Sequence, residues 1–472
     1  MEDGDGSLLP DPSSTGSKPQ PQTTKGPYIL TPPPIHAEDP EEPPPESILL
    51  DPFGYLSDRT NATTADGRRS RRSGKRSILV TFWAATPPRV SCFTVHCPGL
   101  DPSAFGDMPK VICAEDDLVL LRVAICPRDD RRDAKNIRYF VYQAGGAENK
   151  PPPSLKRVRT PPGFMFFDRE VTMLRCRDQD VFYLAVLRRA FIDWKYEDKQ
   201  FDLHMYSSKT GSWSTKLMRV DSPPDVKYFS MNKVITIGGE SGSVGWVDLC
   251  RGILICDLLL ENHSLRYIPL PSPLGAKPLK GYPMYLRNII VLQGYIKFFQ
   301  LDKHCRPCSD AECTGMVSVG WVAETKKMKA SNIGSGNHWE EDCAINIYEV
   351  PVDSPAYATM LPDLQQGQDT ELTLKRIQAG YPALSLHDGD VVYIMHIPDH
   401  HEKKASVIAI DMRNKTIKGV ADFGSGRPIG YDFTYLQSGI SKHLGIWSTS
   451  SRDGILGPSK QRSPTGGCAT AA

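Results

Sequence analysis

From Ile78 onwards the chain consists of short apolar runs broken by Gly, Pro, Asp and Asn, and hardly any segment keeps a helical period over several turns. Four segments share one grammar. The first reads "DDLVLLRVAI", a charged gap, then "NIRYFVYQAGG", and the second reads "QDVFYLAVL", a charged gap, then "FDLHMYSSKTGSW". The third reads "RGILICDLL", "ENHS", "LRYIPL", and the fourth "GDVVYIMHI", "DHHEKK", "ASVIAIDMRNKTIKGV". Each opens with Asp or Arg-Gly before an apolar strand, crosses a polar turn and returns on another strand. In the second, Phe201, Leu203 and Met205 alternate with Asp202, His204 and Tyr206, so that strand has one apolar and one more polar face.

The openings at Asp117, Asp180, Arg251 and Asp390 recur at about 65 to 70 residues, with the last gap close to two periods. "NIIVLQGYIKFFQL" and "MVSVGWVAETKKMK" lie in that gap and supply the strands of the missing unit. A repeat of this length built from antiparallel strands predicts an all-β fold, a β-propeller-like array of about five to seven blades; a pair of β-sandwiches would give similar strands without the period. The array is expected over residues 48–444, between a disordered leader (1–47) and a disordered tail (445–472). The leader is rich in Pro and Glu and has few large apolar residues, too little to offset chain entropy. Its proline runs could dock on a proline-binding module or serve only as a flexible lead.

With 40 prolines and 38 glycines among 472 residues, the composition favours turns and strands. A net charge of +1 gives no global pull towards nucleic acid or anionic membrane. No apolar run reaches the roughly 20 residues that span a bilayer, and the start lacks a signal-peptide pattern. The 12 cysteines are scattered, mostly inside apolar strands, as buried free thiols are in a reducing compartment. The expectation is a soluble intracellular protein, nuclear or cytoplasmic.

Arg68, Arg69, Arg71, Arg72, Lys75 and Arg76 crowd the basic loop at 67–77, which could be a nuclear-import signal, an RNA contact beside Phe82 and Trp83, or a solvated turn between strands. In "VGWVDLCRGILICDLL", Val244, Trp246 and Leu249 read as one strand, Arg251-Gly252 as a turn and Ile253 to Leu258 as a second, with Cys250 and Cys256 as core or turn residues and Asp248 and Asp257 bonding backbone donors. "HCRPCSDAEC" offers His304, Cys305, Cys308 and Cys313 to zinc, but Cys313 follows too soon for a second ligand pair. "GNHWEEDC" reads as an exposed loop carrying His338, Glu340, Glu341 and Asp342, and "SLHDGDVVY" and "PDHHEKK" as hairpin turns. No Walker loop, dinucleotide fingerprint, nucleophile elbow or H-E-x-x-H occurs, and no cofactor is expected.

"ILLDPFGYLSDRTNATT", "PPRVSCFTVHCPG", "DDLVLLRV", "VGWVDLCRGILICDLL", "LRYIPLPSP" and "PALSLHDGDVVYIMH" together resemble the plant family called domain of unknown function 1618, expanded in grasses; the stretch about 244–396 is the most recognisable. The resemblance implies a propeller-like fold similar to F-box-associated domains, to which "FDLHMYSSKTGSW" adds a strand-turn-Trp pattern, but no agreed reaction. An F-box helix trio is not recognisable ahead of the domain. The leading functional expectation is a non-enzymatic scaffold whose loops bind a protein partner. The rivals are an enzyme using His387, Asp388, Asp390 and Asp180 at the central channel, and a nucleic-acid binder using the arginine run.

Overall fold

The structure, a computed structural model, describes residues 45–67, 77–130, 133–145, 151–192, 195–220, 229–274, 282–307, 316–352, 357, 360–361, 374–398, 404–424 and 434–445. The leader up to 44, the basic run 68–76 and the tail from 446 lie outside them.

Six blades form a ring, five of them fully antiparallel and the first mixed, with β1 and β2 parallel to β5. Blade 1 takes β1 (Ile48–Leu50), β2 (Tyr55–Leu56), β3 (Ala65–Asp66), β4 (Leu79–Trp83) and β5 (Val90–His96). Blade 2 holds β6 (Lys110–Glu115), β7 (Leu118–Ala124), β8 (Ile137–Gln143) and β9 (Ser154–Val158). Blade 3 holds β10 (Val171–Cys176), β11 (Val181–Ile192), β12 (Lys195–Ser207) and β13 (Ser212–Arg219). Blade 4 holds β14 (Lys233–Gly238), β15 (Ser243–Asp248), β16 (Gly252–Asp257) and β17 (Leu265–Pro269). Blade 5 holds β18 (Arg287–Leu292), β19 (Tyr295–Pro307), β20 (Met316–Lys329) and β21 (Glu340–Asn346). Blade 6 holds β22 (Ala379–Leu384), β23 (Val391–His396), β24 (Lys404–Asp411) and β25 (Thr416–Gly424).

The last strand, β26 (Leu436–Ser438), returns to blade 1 and pairs antiparallel with β1, giving the order β26-β1-β5-β4-β3. Blade 1 is therefore stitched from both ends of the described chain, and β26 becomes its innermost strand, touching β22 on one side and β6 on the other. Six strands, β26, β6, β10, β14, β18 and β22, surround the axis, each in contact with the next.

The core is six apolar wedges, one between each pair of neighbouring blades. Phe93, Val111 and Phe140 fill the wedge between blades 1 and 2; Leu120, Met173 and Leu184 the next; Leu187, Trp246 and Leu254 the third. Ile253, Ile289 and Phe298 join blades 4 and 5; Phe299, Trp321 and Ile394 join 5 and 6; Leu49, Tyr393 and Val407 close the ring. A strand inside a blade thus packs on both faces. That is why Tyr206, on the more polar face of β12, is buried beside Phe182 and Trp213.

Local backbone geometry explains why a blade's second strand so often follows Asp or Gly. The turn from first to second strand passes through left-handed backbone at Asp116 (φ 56°), Asp180 (φ 49°) and Gln293-Gly294 (φ 50° and 78°). Asp, Asn and Gly tolerate that region best. The third repeat opening is corrected by the same rule: Arg251-Gly252 is the turn between second and third strands, and the blade's second strand starts at Ser243. Both strands are apolar and buried, so the text of β16 looks like that of a second strand.

Candidate functional site

The innermost strands run in the same direction. Lys110, at the start of β6, pairs with Asp168 just before β10 at 2.8 Å, while Asp117, just past β6, pairs with Arg175 near the end of β10 at 3.1 Å. Along the axis they enclose a cavity of about 1100 Å³ with lining from all six blades. Three of the six begin with a basic residue, namely Lys110, Lys233 and Arg287.

Lys233 reaches across this channel. Its Nζ donates to Asn288 Oδ1 of the adjacent blade at 3.1 Å and to Gln437 Oε1 of β26, on the opposite blade, at 2.9 Å. Gln437 Nε2 in turn donates to Leu384 O at 2.8 Å. Lys233 is partly open to the cavity yet ringed by protein atoms, and burial pulls its ammonium down to about 7. Arg287 beside it is 1% exposed and donates to Leu249 O and Gln300 Oε1 at 2.7 and 2.9 Å. Its Nε has no partner among the described residues.

The other end of the channel holds carboxylates. Burial pushes Glu115 up to about 7, opposed by a hydrogen bond with Thr236 and reinforced by neighbouring Asp116. The Thr236 hydroxyl also donates to Met173 O at 2.9 Å, tying β14 to β10 beside Glu115. Asp116 accepts from Arg177 at 2.6 Å and pairs with His443 at 2.9 Å; burial works against the anion, but these two partners outweigh it and hold the carboxyl well below the usual range.

The residues singled out in the sequence are dispersed. Asp180 turns out from blade 3 to Arg175 at 2.6 Å, and Asp390 on blade 6 takes a two-pronged bond from Arg413 at 2.6 and 2.9 Å. Neither these two nor His387 and Asp388 line the cavity. His304 and Cys305 sit exposed on β19 at a bulge, while Cys308 and Cys313 lie outside the described residues. So do Arg68, Arg69, Arg71, Arg72, Lys75 and Arg76, in the link between paired strands β3 and β4, and so do His400 and His401. Among the described residues no three His, Cys, Asp or Glu side chains gather as metal ligands.

"GNHWEEDC" differs from the expected loop, because Glu340, Glu341 and Asp342 belong to strand β21. A bulge opposite Thr325 and Lys326 turns Asp342 inward, where Lys297 and Lys327 meet it at 2.6 and 2.9 Å. Lys297 also donates to Gly389 O of blade 6, so this pair clips two blades together. In "VGWVDLCRGILICDLL" the strand-turn-strand reading holds, with Cys256 buried and Cys250 exposed in the turn. Asp248 accepts from Ser230 N and Cys250 N as expected, whereas Asp257 bonds Ser243 and Arg266 side chains.

With the ring and its channel defined, sequence comparison places the resemblance. Residues 246–393 match the family described as "Protein of unknown function (DUF1618)". The DUF1618 match runs from Trp246 in β15 to Tyr393 in β23, through blade 5 and into blade 6, and so coincides with the most recognisable block, about 244–396, while the resembling stretches from Ile48 to Val123 lie outside it. No curated protein matches the chain. Among solved structures, the WD40 domain of SCAP from fission yeast is similar at 12% identity and TM-score 0.30, covering 74% of each chain. Kuenenia stuttgartiensis hydrazine synthase is similar at 12% identity and TM-score 0.28, covering 77% of each chain. Trypanosoma rangeli sialidase, at 10% identity and TM-score 0.29, covers 82% of this chain and 54% of its own. At such TM-scores none of the three carries an argument about this chain.

Lys233, Glu115, Arg287, Asn288 and Gln437 were not anticipated from the sequence. The one signal was a basic residue heading three apolar strands, which becomes visible only once the innermost strands are known.

Proposed function

We propose that this chain is a non-enzymatic binding scaffold whose protein partner docks on the face from which two long hairpins project. In an antiparallel blade the turn between second and third strands emerges at the same end as the crossing to the next blade. The hairpins β11–β12 and β19–β20 are both of this kind. Their strands have 12 to 14 residues, about 40 to 46 Å at roughly 3.3 Å per residue, whereas β14 to β16 have six residues each. Blade 4, with its short turn, lies as a saddle between the two hairpins.

That saddle is the observation carrying the reading. On one side β11 and β12 stay paired to Ile192 and Lys195, beyond the last β13 partner at Arg219, with Phe191 54% exposed near the tip; Leu217, opposite Asp202 on β13, is 48% exposed on the blade 2 flank of the same hairpin. On the other, β19–β20 is buttressed: Trp321 is buried, and Tyr348 and Lys375 from the blade 5 to 6 crossing bond Val319 and Ser318. A rigid rim with apolar side chains and a polar surround suits protein recognition. The free state of the described cysteines supports an intracellular setting. Among the described residues no helix is long and apolar enough to cross a membrane.

The test is binding of a recovered partner to purified chain carrying Phe191→Asp and Leu217→Asp. Binding should weaken at least tenfold with the melting temperature unchanged. Unaltered affinity would remove this face from the reading. An enzymatic reading gains no support from His387, Asp388, Asp390 and Asp180, which stand on separate blades or off the channel.

A further inference from the structure

Two cations at the crossing end of the channel make no ion pair among the described residues. Lys110 is answered by Asp168, but among the described residues Lys233 meets the amide oxygens of Asn288 and Gln437, and Arg287 a carbonyl, the Gln300 amide and the face of the Phe298 ring. Of the elements packed beside Lys233, β18 starts at Arg287 and β15 ends at Asp248, while Lys110, Asp168 and Arg169 of blades 2 and 3 line the same cavity. Asp248 is committed to Ser230 N, Cys250 N and Arg251. From β26 the neighbours Leu436, Gln437 and Ser438 bring no charge. A desolvated cation answered by neutral groups alone is costly unless a ligand supplies the anion.

The surrounding wall sets the rest of the ligand. Val234, Met284, Ile289, Leu386 and Leu436 line the same cavity, whose volume suits a small organic molecule. We propose that the Lys233 end of the channel binds a small carboxylate with an apolar body, its anionic group taken by Lys233 Nζ in place of the two amide oxygens. One accessible ammonium neutralises one negative charge. A phosphate brings up to two, and Arg287, 1% exposed, is too deeply set to share them directly.

The proton balance follows. Lys233 is pulled down to about 7 by burial alone, so above neutral pH the amine of the empty site is largely uncharged. A bound carboxylate favours the ammonium, so binding takes up a proton there. Affinity should fall about tenfold per pH unit above 7 and level off below it.

Titration calorimetry on the full chain with octanoate and its neutral counterpart octanamide tests this. Octanoate should bind at least tenfold more tightly than octanamide at pH about 7, with proton uptake at pH about 8 seen as heats that depend on buffer ionisation. Lys233→Met, checked by thermal melting, should erase the preference. Equal binding of the two probes, binding of neither, a preference that survives Lys233→Met, or displacement of octanoate by equimolar inorganic phosphate would each overturn the proposal. The octanoate comparison uses the unaltered chain, so the result stands even where the substitution impairs folding.

Discussion

Gln437 on the C-terminal strand accepts a hydrogen bond of 2.9 Å from Lys233 on the blade opposite, so the strand that closes the ring is held from across the channel as well as by its own sheet. Next to it, the Tyr435 hydroxyl donates to Tyr381 O at 2.8 Å and contacts Tyr393 O at 3.2 Å. Closure therefore rests on polar contacts with blade 6 and blade 4 together with the apolar wedge.

Tyr435→Phe removes a buried hydroxyl at that seam and takes from Tyr381 O its hydrogen-bond donor. The expected loss is about 1–2 kcal/mol, read as a lower denaturant midpoint with an unchanged slope.

The clip between blades 5 and 6 is more sensitive. Lys297→Met strips Asp342 of its closest partner while the carboxylate stays buried, and about 3 kcal/mol should be lost, Lys327 sparing the rest. Pairing it with Asp342→Leu should recover most of that loss, measurable as a double-mutant cycle by urea unfolding.

The channel groups set a pH profile of unusual sign. Glu115 is raised from 4.5 to about 7, so the folded state holds a proton the unfolded state has released, and stability falls as pH rises from about 4.5 to 7. Lys233 is lowered from 10.5 to about 7, so from about 7 to 10.5 the unfolded state binds the extra proton and stability rises. Thermal midpoints of the ligand-free chain should dip near neutrality. Glu115→Gln should flatten the acid-side fall and Lys233→Met the alkaline-side rise; a profile unchanged by either would contradict both assignments.

At the acid extreme Asp116 acts in the ordinary sense. Its carboxyl is held low by His443 and Arg177, so its contribution is present above the usual carboxylate range and disappears as pH drops through the depressed value. Acid unfolding of Asp116→Asn should therefore depend less steeply on pH below about 4.

Thiol reactivity separates wall from surface. Burial pushes Cys92 and Cys256 up to about 12, and both sit in the core, whereas Cys250 and Cys305 are exposed. Maleimide labelling read by peptide mass spectrometry should mark Cys250 and Cys305 within minutes and leave Cys92 and Cys256 unlabelled until the chain is denatured.

Much of the ring was legible in the sequence, because strands such as β7, β11, β16 and β23 are dense apolar runs set off by turn residues. The blade between Arg251 and Asp390 was placed by "NIIVLQGYIKFFQL" for the same reason. What stayed hidden depends on distance along the chain. Lys233 and Gln437 are about two hundred residues apart, and Lys297 and Asp342 meet only because a bulge turns one of them inward. Strand order within a blade was also obscure, since second and third strands are packed on both faces and read alike.

The central claim, a scaffold that binds protein through one face of the ring, is tested most directly by proximity labelling in the source tissue with the intact chain, the chain lacking residues before Ile48, and the chain carrying Phe191→Asp and Leu217→Asp. The account predicts a recurrent protein partner retained without the leader and lost with the double substitution. No enriched partner, or a partner that depends on the leader alone, would contradict it.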